Sequence, residues 1–161
     1  MRKNCKKLVV LILVMAMALC VSSCGIGFDN GGVSPDAPSV ITTDGKADID
    51  NCHIEITDCK AQISAFSQFI AVVSMDFYNG SDAATSLFFT ASIKAYQNGM
   101  ELSLAAWSPA DHGIAHDYTT SIQPGYTLST GCAFVIADTS APITIQICDG
   151  TTVVSEKTFT L

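Results

Sequence analysis

From residue 52 onward, apolar and polar residues alternate in short runs, and each run ends at a pair of turn-forming residues. Strict period-two alternation puts apolar side chains on one face of an extended strand and polar ones on the other. Residues 52–59 place Cys52, Ile54 and Ile56 on one side and His53, Glu55 and Thr57 on the other. Residues 69–78 align Phe69, Ala71, Val73, Met75 and Phe77. Residues 87–97 align Leu87, Phe89, Ala91, Ile93 and Ala95 opposite Thr90, Ser92 and Lys94. Leu128, Cys132, Phe134 and Ile136 share an inward face over 126–137, and Ile143, Ile145 and Ile147 define a further strand before a last one over 153–161. Asn79-Gly80, Asn98-Gly99 and Asp149-Gly150 are pairs that close hairpins, and Pro124-Gly125 suits a type II turn. About seven short strands and no helix of convincing length predict an all-β, immunoglobulin-like antiparallel β-sandwich.

The first 24 residues have a different character. Arg2, Lys3, Lys6 and Lys7 precede an uncharged apolar run over 8–21, the order of a secretory signal. That run is shorter than the roughly 20 residues a membrane-spanning helix needs. It ends in Val21-Ser22-Ser23-Cys24-Gly25, which resembles the lipobox of bacterial lipoproteins. The resemblance implies cleavage before Cys24 and lipidation of its thiol. Acyl chains contribute about 0.8 kcal/mol per buried CH₂, so two long chains would hold a protein stably on a membrane. The expected organisation is a signal peptide over 1–23, a lipidated N-terminus and flexible linker over 24–51, and the sandwich over 52–161. The linker is rich in Gly, Pro, Asp, Ser and Thr and would span about 25–30 Å if fully flexible.

Cleavage at that point removes every arginine, because Arg2 is the only one in the chain. The remaining 138 residues carry four lysines against 15 carboxylates, a formal net charge of −11. Such a surface repels phosphate backbones, so nucleic acid is excluded as a partner. It also has no guanidinium to clamp a phosphate or carboxylate in bidentate fashion.

Asn79-Gly80-Ser81-Asp82-Ala83-Ala84-Thr85-Ser86, then Lys94-Ala95-Tyr96-Gln97-Asn98-Gly99-Met100-Glu101-Leu102, then Ile122-Gln123-Pro124-Gly125, resemble DUF5067, a family of Gram-positive lipoproteins. A more distant similarity extends to the immunoglobulin-like DUF4352 group. The resemblance covers roughly residues 48–150 and implies an extracellular β-sandwich with no established activity. Its motifs are turns and strand edges, so it assigns no role to the cysteines or histidines.

Four cysteines remain in the domain: Cys52, Cys59, Cys132 and Cys148. An even number in an exported domain suggests disulfides, whereas an anaerobic host would leave free thiols. Strand parity puts Cys52 and Cys132 on core faces and Cys59 and Cys148 on opposite faces, so the expected pairs are Cys52–Cys132 and Cys59–Cys148. No CxxC spacing supports a zinc site. Thr127-Leu128-Ser129-Thr130-Gly131-Cys132 approaches the strand that carries a sortase nucleophile, but Gly131 is an extra residue and the required downstream arginine does not exist.

Asp111-His112-Gly113-Ile114-Ala115-His116-Asp117 is the most chemically suggestive segment. His112 and His116 would hold a divalent metal on a helical turn, but Gly113 and Pro109 favour a loop. Trp107 and Tyr118 bracket it, either as a ligand platform or as a cap on the core. Residues 44–55 have the length of a calcium loop, yet Lys46 and Ile49 occupy positions that need a ligand and a glycine.

These readings converge on a lipid-anchored protein of the extracellular face of the membrane. It is expected to be a non-enzymatic binding module without a cofactor, meeting a protein or a cell-wall ligand. The alternative is metal capture or metal-dependent chemistry through the 107–118 loop.

Overall fold

The computed structural model describes residues 41–161. The expected signal peptide, Cys24 and the first part of the linker lie outside them. The described residues form two packed sheets. One holds β1 (Lys46–Ile49), β2 (Cys52–Ile63), β3 (Phe69–Tyr78), β7 (Thr127–Val135) and β6 (His116–Asp117), in the order β1-β2-β3-β7-β6. The other holds β5 (Met100–Glu101), β4 (Ser92–Gln97), β8 (Ile143–Asp149) and β9 (Thr152–Phe159), in the order β5-β4-β8-β9. All strand pairs are antiparallel except β6 with β7. This is the immunoglobulin-like sandwich the alternation predicts.

The alternating residues meet between the sheets. Ile54 and Ile56 from β2, Val73, Met75 and Phe77 from β3, and Cys132 and Phe134 from β7 pack against Ala95 of β4 and Ile143, Ile145 and Ile147 of β8. Each large side chain buried this way contributes on the order of 1.5–3 kcal/mol. Asn98 and Gly99 have φ of 53° and 78° and close the β4–β5 hairpin in the primed-turn geometry that suits twisted strands. Gly150, at φ 57°, lies in the β8–β9 turn, and Gly125, at φ 81°, in the Pro124-Gly125 turn.

Four sequence expectations need correction. The domain starts before residue 52: β1 lies inside the expected linker, Lys46 pairs with Glu55 across the strands, and Thr42 bridges to Ser155. Residues 44–49 therefore earn order by adding an edge strand, which their polar composition hides.

Residues 87–90 are not strand. They form a single helical turn, α1 (Leu87–Thr90), in which Thr90 Oγ1 donates to the Ser86 carbonyl and the Phe88 amide donates to the Tyr118 carbonyl. Leu87 points into the core, while Phe88 and Phe89 are 50% and 77% exposed.

Asn79-Gly80 does not close a hairpin, because β3 ends there and the chain crosses to the other sheet. Asn79 is instead fully buried and bonded through every polar atom of its side chain. Gly80 is required by close approach, since a Cβ there would lie 2.1 Å from the Asn51 carbonyl oxygen.

The parity of β2 also breaks. A bulge between Ile56 and Asp58 inserts Thr57, and every later residue of β2 changes face. Cys59 therefore turns into the core rather than away from it.

Candidate functional site

The expected cysteine pairs are not made. All four are free thiols and all are buried. Cys132 lies opposite Val73, which lies opposite Cys59, so Cys52 is displaced from Cys132 by two strands and seven residues along β2. That is about 20 Å along the strand, against the 7 Å or less between Cα atoms that a disulfide needs. The bulge puts Cys59 on the inner face of its sheet, whereas Cys148 has Lys94 and Glu101 as charged neighbours beyond the core of the other. Cys52 instead donates to Asn79 Oδ1 at 3.7 Å.

Burial pushes the Cys59 thiol up to about 12, helped by the Asp58 charge, and raises Cys132 as well. Such thiols are inert rather than nucleophilic. In the unfolded chain they ionise near 9, so above that pH the unfolded state sheds protons that the folded state keeps. Stability contributed by these groups is intact below pH 9 and is lost as pH rises toward 12. Denaturant midpoints measured across that range are expected to fall, and Cys132→Ala is expected to flatten the slope; an unchanged slope contradicts the assignment.

The 107–118 loop is divided between two places. Trp107 packs on the outer face of the five-stranded sheet with Ile70, Val72, Ile114 and Ala133, a second small core that also breaks the simple alternation of β3. It therefore covers the back of the sheet rather than the end of the main core. Residues 109–112 form a 3₁₀ turn closed by Gly113 at φ 75°. His112 Nδ1 bonds Gln62 Oε1 of β2, and its ring lies 6.0 Å from that of Trp107. His116 sits beyond the turn on β6, beside Thr130. The Asp117 carboxylate accepts from the amide and hydroxyl of Thr119. The two imidazoles are thus not stacked on one helical face, and no group of three or more His, Cys, Asp or Glu among the described residues is placed to hold a metal.

Tyr118 belongs to a different surface. Its ring meets Phe88 edge-to-face at 5.6 Å, and Phe88 meets Phe89 at 5.2 Å. With Ile93 and Leu104 these aromatics line a groove of about 320 Å³. It adjoins a second hollow over Ser92, Ile93, Lys94 and Phe134. Burial raises the Tyr118 phenol above its ordinary range, so it stays neutral.

A change of sheet opens this groove. After the β4–β5 hairpin, the Leu102 amide donates to the Ala95 carbonyl at 2.8 Å. The chain then leaves β4: the Val135 amide donates to Ser103, and the Ala105 amide donates to Ala133. Backbone groups of alternate residues point to the same side of a strand, so Ile93 faces the side on which Ala95 met Leu102. No backbone hydrogen bond joins Ile93 to residues 102–104 among the described residues. The aromatic groove therefore runs beside an open strand edge. Sequence reasoning missed it because Phe88 and Phe89 read as strand residues.

Among the described residues no basic surface competes with this site, because each lysine is engaged. Lys46 pairs with Glu55 at 3.0 Å, Lys60 with Asp58 and Lys94 with Glu101 at 4.0 Å, while Lys157 donates to the Ile56 carbonyl at 2.9 Å.

Three solved structures share the architecture. A candidate lipoprotein from Staphylococcus aureus is 11% identical with a TM-score of 0.60, over 74% of this chain and 90% of that one. An uncharacterised β-sandwich protein from Clostridium difficile is 12% identical with a TM-score of 0.53, over 74% and 92%. A candidate lipoprotein from Bacillus subtilis is 12% identical with a TM-score of 0.50, over 74% of this chain but only 38% of that protein. At this identity the likeness shows the fold alone. No curated protein matches the chain. Residues 34–149 match the domain of unknown function DUF5067. The turn motifs at 79–86, 94–102 and 122–125 all fall within that match, and the chain belongs to the DUF5067 family.

Proposed function

We propose that this protein is a lipid-anchored, non-enzymatic binding module of the outer cell surface, and that it receives an extended segment of a partner protein along the open edge of β4. The observation that carries the reading is the uncapped backbone of Ile93 beside the Phe88–Phe89–Tyr118 groove. A sheet edge supplies main-chain hydrogen bonds that an extended polypeptide satisfies, and flanking apolar hollows accept its alternate side chains. A sugar polymer would use the aromatic faces but not the edge. The buried, raised thiols support a module without a nucleophile, and the engaged lysines argue against anionic ligands. The lipobox-like end of the signal and the candidate lipoproteins among the structural neighbours support the address.

Two measurements test it. Cys24→Ser is expected to move the protein from the membrane pellet to the medium; full retention in the pellet overturns the anchor. A photo-crosslinking residue in place of Phe89, in the full chain in cells, is expected to give adducts mapping to one extended segment of a surface protein. A synthetic peptide of that segment should slow amide exchange at Ile93, and Phe89→Ser should weaken its binding about tenfold or more, as for an aromatic anchor. Adducts on glycan alone, or unchanged exchange at Ile93, overturn the edge reading.

A further inference from the structure

The β2–β3 hairpin ends in a tip whose apolar side chains have no protein to cover them. Ile63 and Phe69 are a cross-strand pair that continues the inner face of the sheet past the end of the core, and they are 62% and 50% exposed. Phe66, at the apex, is 69% exposed. The loop that carries it is braced by its own hydrogen bonds. The Ser64 amide donates to Gln68 and the Ser67 amide donates to Ser64, both at 2.9 Å. The buried Ser64 hydroxyl accepts from the amides of Phe66 and Gln68. Ser67 turns the chain with φ of 59°. The amides of Ser64, Phe66, Ser67 and Gln68 are thus bonded inside the tip, which lowers the cost of desolvating an apolar wedge there.

Charge says what such a wedge fits. None of the chain's 15 carboxylates falls between residues 59 and 75, and the only charge there is Lys60. In a protein this acidic, that span offers a headgroup layer little repulsion of its own. Asp111 and Asp138 lie on neighbouring loops, next to His112 and close to Ile136, whose amide donates to Phe69. Insertion of side chains rather than charge attraction must therefore supply the binding. Chain length adds a second argument. Ile41 is the seventeenth residue after Cys24, so a lipid on Cys24 keeps the domain within about 60 Å of the bilayer even at full extension. Tethering raises the effective concentration of the tip at that surface, so weak insertion suffices.

We infer that the β2–β3 tip, through Ile63, Phe66 and Phe69, is a membrane-contact site that inserts shallowly into the lipid interface and fixes the domain's orientation on the surface. This rests on the lipid-anchor reading only for the tether; insertion itself does not need the lipid. The test accordingly uses the mature chain, residues 24–161, bearing Cys24→Ser, with phosphatidylcholine vesicles with and without phosphatidylglycerol. Flotation is expected to carry the protein with the vesicles in both cases, with little effect of added salt, because apolar burial is not screened. Phe66→Ser is expected to weaken partition about tenfold or more, and Tyr126→Ser, 66% exposed beside the far ends of β3 and β7, to leave it unchanged. Phe66 makes no core contact to lose, and unchanged denaturant midpoints would confirm that its variant folds. Absence of flotation, equal flotation of Phe66→Ser, or a dimer that Phe66→Ser dissolves without any vesicle binding would each overturn the inference. Loss of anchoring by Cys24→Ser in cells is read separately, so failure of the tether and failure of the tip are distinguishable.

Discussion

Asn79→Ala is expected to destabilise the domain by about 2–4 kcal/mol, a large effect for a single substitution. The Asn79 side chain is fully buried where β3 gives way to the crossover. Its Nδ2 donates to the carbonyls of Ala83 and Ile122, both at 2.9 Å. Its Oδ1 accepts from the Ser81 amide at 3.0 Å, from the Ser81 hydroxyl at 2.7 Å and from the Cys52 thiol. Alanine would take one donor from each of two carbonyls, although Ile122 keeps the Thr85 amide and Ala83 the Ser81 hydroxyl, and would leave the Ser81 amide without its partner. Each lost bond costs about 0.5–1.5 kcal/mol and an unpaired amide about 1–3 kcal/mol. The residue also joins three segments that share no other side-chain bond of this kind: the start of β2, the 80–86 crossover and the turn before β7. Equilibrium denaturation of the wild type and variant measures the effect. Asn79→Asp keeps the acceptor but turns a carboxylate toward the two carbonyls, so it should also be strongly destabilising. A loss below about 1 kcal/mol in Asn79→Ala would mean that water replaces the amide at little cost.

Gly131→Ala is expected to cost about 2–3 kcal/mol, by overpacking rather than by backbone strain. A Cβ on Gly131 would lie 2.5 Å from the Val73 carbonyl oxygen and 2.7 Å from Ile114 Cδ1, with the Trp107 ring at 3.4 Å. The first contact is backbone of the neighbouring strand and cannot rotate away. The second is the tip of the Ile114 side chain, which yields by turning aside or by lifting the 107–114 segment off the sheet. Trp107 is the chain's single tryptophan, so its emission reports that lift directly. A red shift in folded Gly131→Ala, together with faster exchange of the Ile114 amide, is the expected signature. Unchanged emission with unchanged stability would mean that the second small core is not closely packed.

These sites show where the sequence was legible. The main-core faces of β3 over 73–77, of β7 and of β8 appear as period-two alternation, because a half-buried strand imposes that period on its side chains. The Asn98-Gly99 turn was equally legible, because positive φ at consecutive residues restricts the residue types. Cys59 was misread because the bulge at Thr57 reverses parity without leaving a compositional mark. Phe88 and Phe89 kept the hydrophobicity of a strand while the Phe88 amide bonded Tyr118, a partner thirty residues away. Gly131, which distinguishes this strand from a sortase-like one, proved to be a packing residue beneath Ile114 and Trp107.

The sequence by itself determined the class of fold, the family, the signal-like first 24 residues and the scarcity of positive charge. All of these depend on local pattern or on counting. Tertiary structure alone decided that the cysteines are too far apart or on the wrong faces to pair, that His112 and His116 part company, and that Tyr118 joins Phe88 and Phe89 rather than Trp107. It also decided which strand edge stays open. Each of these depends on register between segments distant in the chain, and register is set by one bulge and one change of sheet. A single inserted residue reverses a whole face, and nothing in residue-by-residue hydrophobicity records it.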